Sequence, residues 1–182
     1  MKKLLPVLLA LFVSVVAGRA QFGFEMDLDG TPGNGPDTLD ANYGDFVTGR
    51  VWLFGTSPLF SVGTTFCTPG GALEYQVGME EYLLPESWTT AEADTFGGCV
   101  LTQATDFTFV NPISLPAPFV DLVWRVAIDE GIGDIECDLV HSGYISINWM
   151  DGIFDFCHSA AVRIGGTGTE RTGWGAIKTL FR

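Results

Sequence analysis

FVDLVWRVAI, Phe119 to Ile128, is the stretch whose reading decides the fold. Val120, Leu122, Trp124, Val126 and Ile128 alternate with Asp121 and Arg125. A period of two puts one row of side chains in a core and the other toward water, as in a half-buried β-strand. The same alternation recurs on both sides of this stretch. Phe22, Phe24, Met26 and Leu28 alternate with Gly23, Glu25 and Asp27; Val47, Val51 and Leu53 share one face of FVTGRVWLF. Leu73, Tyr75, Val77 and Met79 alternate with Glu74, Gln76 and Gly78, and Tyr144, Ser146 and Asn148 alternate with Ile145, Ile147 and Trp149. Shorter strand candidates are LFSVGTTF, CVLTQ, FTFV, IECDLV, IFDFC and AAVRI.

Turn chemistry separates these runs. Pro69-Gly70-Gly71 divides Phe66 from Leu73, Gly131 and Gly133 divide Ile128 from Ile135, and Asp151-Gly152 between Trp149 and Phe154 is a hairpin signal. Glu86 to Asp94 reads as a short helix or an extended loop. Helical periodicity is otherwise absent before the C-terminal tail. About nine to eleven short, closely spaced strands predict an all-β chain folded as an antiparallel β-sandwich, with a short C-terminal helical tail.

The first twenty residues read as a secretory signal peptide. Lys2 and Lys3 precede the apolar run Leu4 to Val16, and small residues surround a cleavage point after Ala20. The run is shorter than the roughly 20 residues of a membrane span, and no second apolar run follows. The predicted organisation is a signal over 1–20, a sandwich over 21–165, a Gly/Thr-rich linker over 166–173 and a basic amphipathic tail over 174–182. After the signal, 22 acids face six bases, a net charge of −16. A body this acidic repels phosphate backbones, which excludes nucleic acid as a partner class. The polarity is uneven: Gln21 to Val162 carries −19 (2 bases, 21 acids) and Arg163 to Arg182 carries +3 (4 bases, 1 acid).

Cys67, Cys99, Cys137 and Cys157 make an even count in an exported chain, which predicts two disulfides. Three pairings are open; Cys67–Cys99 with Cys137–Cys157 is preferred because neighbouring strands would carry each pair. No C-x-x-C spacing occurs, and His141 and His158 are the only histidines, so a zinc site is not expected.

The order VTGRVWLFG, LEYQVGM with LPESW, FVDLVWRVAI and then an Ile-Glu-Cys-Asp strand resembles the immunoglobulin-like and cohesin-like sandwiches of bacterial secreted proteins, over Phe46 to Gly165. That resemblance implies a non-catalytic module of cell surfaces or extracellular assemblies. Cohesins bind dockerins, and no residue of this chain carries that pairing over. The ending Thr172 to Arg182 is similar to short W-G-x-I-K-x-L-[FY]-R endings of exported bacterial proteins.

Four candidate chemistries follow from the residues. Glu25, Asp27 and Asp29 before Gly30 open like a calcium loop; Pro36 stands where a bidentate Glu belongs, and Asp37, Asp40, Asn42 and Asp45 are available to complete a different oxygen cage. The competing reading is a solvated acidic turn, so the expected cofactor is none, with Ca2+ as the one candidate ion. Trp88, in the loop LPESWTTAE, is the best candidate for an exposed aromatic that stacks on sugar, which makes a carbohydrate-binding module the second functional reading. A glycoside hydrolase ranks third, because no carboxylate pair stands out and no G-x-S-x-G elbow exists; the chain is read as not an enzyme. In the tail, Trp174, Ile177, Leu180 and Phe181 fall near one helical face, with Lys178 and Arg182 off it. Either that segment caps the open end of its own sandwich, or an attachment or sorting partner reads it. The leading reading is an exported structural or binding module with a protein partner.

Overall fold

A computed structural model describes residues 21–33, 35–91, 93–147 and 151–165. The predicted signal, linker and tail lie outside the described residues. Fifteen strands occur among those described: β1 (Gly23–Asp27), β2 (Thr38–Ala41), β3 (Phe46–Phe54), β4 (Leu59–Cys67), β5 (Leu73–Tyr75), β6 (Glu81–Tyr82), β7 (Thr89–Thr90), β8 (Asp94–Phe96), β9 (Cys99–Thr105), β10 (Ala117–Val126), β11 (Gly131–Cys137), β12 (Gly143–Ser146), β13 (Asp151–Gly152), β14 (Phe156–His158) and β15 (Ala160–Ile164). They build two sheets. The first runs β14-β1-β3-β10, with β5 and β6 both on the far edge of β10; the second runs β13-β12-β4-β11-β15-β2, with β9 also on β4 and β7 and β8 beyond it.

The alternating run that opened the reading is β10, at the centre of the first sheet. Val120, Leu122, Trp124 and Val126 are completely buried, while Asp121 and Arg125 are half-buried on the other face. Between the sheets Phe24 meets Phe66 edge-on at 5.4 Å and Phe154 at 4.9 Å, joining β1 of one sheet to β4 of the other. Each such ring contributes roughly 1.5–3 kcal/mol by leaving water. One polar pair sits in this apolar layer: the hydroxyls of Thr64 and Thr102, both fully buried, bond each other at 2.8 Å. Mutual bonding removes the cost of burying either alone.

The preferred cysteine pairing is the one present, and its two members do different work. Cys67–Cys99 joins directly opposed residues of β4 and β9 within one sheet. Cys137–Cys157 ties β11 to β14 across the two sheets.

Several local expectations need correction. The sandwich is not antiparallel throughout, since β1 pairs with β14 and β2 with β15 in parallel. FTFV is a turn, because the buried carboxylate of Asp106 takes the backbone donors a neighbouring strand would have taken. The strand expected over Leu73 to Met79 stops at Tyr75; Gly78 turns with φ 80° and its N–H donates to Glu80. Asp151-Gly152 does not form the hairpin turn: both residues lie in β13, opposite Ile145 and Tyr144. Glu86 to Trp88 form a turn in which Trp88 N–H donates to the Pro85 carbonyl at 2.9 Å, and β7 and the start of β8 follow it.

Candidate functional site

The outer face of the second sheet carries a groove of ≈590 Å³ across β12, β4 and β9. Alternation decides what reaches it. Val62, Thr64 and Phe66 of β4, and Val100, Thr102 and Ala104 of β9, are buried in the core, which leaves Ser61, Gly63, Leu101 and Gln103 on the outside. The β4–β12 register then sets Gly143 opposite Gly63, and Ile145 opposite Ser61. Two facing glycines make the floor low, and the side chains around them make walls. A Cβ at Gly63 would meet only the Thr102 carbonyl, at 3.6 Å, so the depth comes from a missing side chain and not from close packing. Ile153, 64 % exposed, stands on one wall beside Tyr144 and Ile145.

His141 closes one end of the groove. Its Nδ1 lies 2.6 Å from Asp138 Oδ2, and its ring meets Phe96 edge-on at 5.7 Å. The bond from His141 is the main cause that holds the Asp138 carboxyl below the usual carboxylate range, so the acid stays charged at neutral pH. The neighbouring Ser142 hydroxyl donates to the Asp138 carbonyl at 2.5 Å and accepts from the Thr65 N–H at 2.9 Å. Both bonds serve the backbone, so Ser142 ties the Asp138 carbonyl to β4.

A second cavity, ≈480 Å³, opens at the lateral edge between the sheets. Leu73, Tyr75 and Val77 form one wall, Gly97 to Val100 the other, and Trp124 the floor. Trp124 Nε1 is buried and lacks a hydrogen-bond partner among the described residues. An unpaired buried donor costs about 1–3 kcal/mol.

The predicted site residues fall as follows. Asp27, Asp29 and Asp37 converge, with one carboxylate oxygen from each within 4.8 Å of the others. Asp27 is 3 % exposed and already engaged: Oδ1 accepts from the N–H of Asp29, Gly30 and Thr31 at 3.0, 2.7 and 3.3 Å, and Oδ2 from Trp52 Nε1 at 3.0 Å. Burial, then the adjacent acids Asp29 and Asp27, push the Asp37 carboxyl above its ordinary range, against the bond it accepts from Leu28 N–H. Glu25 does not join them; it accepts from the Gly33 N–H and lies 3.4 Å from His158 Nδ1. The expected exposure of Trp88 is corrected: it is 6 % exposed and its Nε1 donates to the Asn111 carbonyl at 2.8 Å, so it anchors the β6–β7 loop to the β9–β10 loop. Trp174, Ile177, Lys178, Leu180, Phe181 and Arg182 lie outside the described residues. Sequence reasoning missed the groove, because Gly63 lies unmarked inside the strand candidate LFSVGTTF and only register sets Gly143 opposite it.

No protein-family model and no curated protein matches this chain. Solved structures do. A non-cellulosomal cohesin from the hyperthermophilic archaeon Archaeoglobus fulgidus superposes with a TM-score of 0.61 at 11 % identity, covering 84 % of this chain and 97 % of that one. A cohesin module from a Clostridium perfringens family 33 glycoside hydrolase gives 0.60 at 11 %, over 80 % and 97 %. A type I cohesin–dockerin complex from Clostridium thermocellum gives 0.59 at 13 %, over 79 % and 99 %. At such identities the likeness is one of architecture, and the chain folds as a cohesin-like β-sandwich.

Proposed function

We propose that this chain is an exported, non-catalytic protein-binding module of the cell surface or extracellular space. Its partner docks in the groove across β12, β4 and β9, and the tail Trp174 to Arg182 serves attachment or sorting. One observation carries the binding reading: the facing Gly63 and Gly143 keep a walled depression open on an otherwise regular sheet face. The cohesin-like architecture supports it, since one of the compared structures is a cohesin in complex with a dockerin. The chemistry of the walls describes the partner. Apolar side chains fit against Leu101, Ile145 and Ile153, polar groups fit against Gln103 and His141, and a net charge of −13 favours a basic partner. The Lys2-Lys3 and Leu4 to Val16 pattern supports export.

The test fills the groove without touching the core. Gly63→Leu is expected to leave the melting temperature within about 2 °C of the parent, as surface changes usually do. A photoreactive residue at Gln103 is expected to crosslink one defined surface or secreted protein of the source cell, at least tenfold less in the Gly63→Leu background. Equal crosslinking in both backgrounds overturns the groove. For the tail, deletion of Gly173 to Arg182 is expected to leave the body folded and to change its distribution between cell surface and medium; an unchanged distribution overturns the addressing role.

A further inference from the structure

The aromatic surface that Trp88 does not supply lies on the outer face of the first sheet, on the other side of the sandwich from the groove. We propose that this face, built by Trp52, Phe54, Phe156 and His158, is a second binding site, which takes the flat ring face of a neutral polysaccharide. The inference does not rest on the groove or on the tail.

Register puts these four rings on two rungs of the sheet. Phe54 of β3, Gly23 of β1 and Phe156 of β14 share one rung; Trp52, Glu25 and His158 share the next on the same face. Leu53 and Phe24 between them are buried in the core, and Cys157 turns inward to Cys137, so the rings point outward. A Cβ on Gly23 would stand almost equally far from Cε1, Cε2 and Cζ of Phe156. A point equidistant from three atoms of a ring lies near the ring's axis, so the phenyl lies flat over Gly23 and turns its other face outward. The absent side chain at Gly23 is its seat, and a ring covered on one face is half-buried, as Phe156 is. Phe54 flanks it at 6.5 Å with the planes 34° apart, and His158 at 5.6 Å with the planes 43° apart.

A polar atom is offered beside the rings. His158 Nδ1 lies 3.4 Å from Glu25 Oε2; a carboxylate only accepts, so Nδ1 carries the proton and the neutral imidazole keeps a lone pair on Nε2. The Glu25 side chain is 3 % exposed and its other oxygen accepts from Gly33 N–H, so it positions the imidazole and takes no ligand itself. The His158 side chain is 41 % exposed, with its Nδ1 edge toward the buried acid and its Nε2 edge toward water. Trp52 is fixed by its bond from Nε1 to Asp27 Oδ2 at 3.0 Å.

These groups describe the ligand. In the following rung Arg50 grips Asp121 through two bonds of 2.7 and 2.8 Å, Asp27 holds Trp52, and Glu25 faces His158, so the charges along these rungs are engaged with their neighbours. What faces outward is carbon ring surface with an imidazole acceptor at its rim. A pyranose has the matching surfaces: C–H groups on its faces and hydroxyl donors around its edge. A net charge of −13 repels acidic polymers, which leaves a neutral glycan. β14 is the edge strand of its sheet, so a long chain laid across the rings runs off the side of the sandwich.

The experiment measures retention of the full-length chain on cellulose, chitin, xylan, mannan and starch, with alginate as the anionic comparison. Retention is expected on at least one of the neutral polymers. Phe156→Leu keeps an apolar cover over Gly23 and removes the ring; it is expected to weaken that retention about fivefold, the size of one aromatic contact, while Phe156→Tyr keeps it. His158→Ala, which removes the acceptor at a half-exposed position, is expected to weaken it as well and carries the test should Phe156→Leu fold poorly. Gly63→Leu, which fills the groove on the other sheet, is expected to change nothing. No retention on any neutral polymer, retention on alginate alone, equal retention in both ring-face variants, or loss in Gly63→Leu would each overturn the site. A dimer that depends on Phe156, seen by sedimentation without any glycan retention, would give the face to a second copy and overturn it too.

Discussion

At the end of β1 the carboxylate of Asp27 gathers three backbone N–H groups of the following turn and the indole of Trp52; at the end of β9 the carboxylate of Asp106 gathers the N–H groups of Thr108, Val110 and Asn111 and the hydroxyl of Thr108. Both acids are buried, and both replace a neighbouring strand as the acceptor for their turn. The surroundings differ. Asp106 has donors around it, led by the Thr108 hydroxyl, and its carboxyl is held below the ordinary range. Asp27 shares its turn with Asp29 and Asp37, and there it is Asp37 whose carboxyl is pushed up, by burial first. Asp106 and Asp37 therefore make stability depend on pH in opposite ways. The Asp106 contribution is complete above the ordinary carboxylate pKa and is lost as pH falls through its depressed value. The Asp37 penalty is present above its raised value and disappears as pH falls through it.

The largest expected effect comes from removing the isolated clamp. Asp106→Ala leaves three backbone donors and a hydroxyl without their acceptor, and Phe109 in that turn holds φ 55°, a strained value for a residue with a side chain. The melting temperature is expected to fall by roughly 5–10 °C at pH 7; no change would show that water replaces the carboxylate freely. Trp52→Phe removes one of four donors from Asp27 and is expected to cost about 1–2 kcal/mol in urea unfolding. Asp37→Asn goes the other way. The amide keeps an acceptor for Leu28 N–H and removes a charge from the crowded turn, so stability at pH 7 is expected to rise by up to about 1 kcal/mol. That gain is expected to fade as pH is lowered through the raised Asp37 titration; a gain independent of pH would refute the electrostatic account.

Legibility in the sequence followed the same division. β3 and β9 were readable because each sets a two-residue rhythm against a core, and β10 because Val120, Leu122, Trp124 and Val126 keep that rhythm although Phe119 and Val123 are buried beside them. FTFV has strand composition too, yet Asp106 just before it supplies acceptors that end the pairing. LEYQVGM breaks for a related reason, since Glu80 accepts from the Tyr75 hydroxyl at 2.9 Å and from Gly78 N–H at 2.9 Å. Burial and the neighbouring Glu80 then push the Tyr75 phenol far above its ordinary titration, so it stays a donor across the whole physiological range. Trp88 misled because a loop residue flanked by Ser87 and Thr89 reads as exposed; its partner, the Asn111 carbonyl, is 23 residues away.

What the amino-acid order determined alone is the alternation of faces, the acidic body, the basic ending and the even set of cysteines. These are properties of neighbouring residues or of simple counts. Only the tertiary structure decided that Gly63 opposes Gly143, that Trp124 buries an indole N–H with no partner among the described residues, that two edges pair in parallel, and that Cys137 reaches across to Cys157. The physical reason is that sheet register and sheet-on-sheet contact join residues tens of positions apart. A rhythm of two says which side of a strand is dry, and it says nothing about which strand lies beside it.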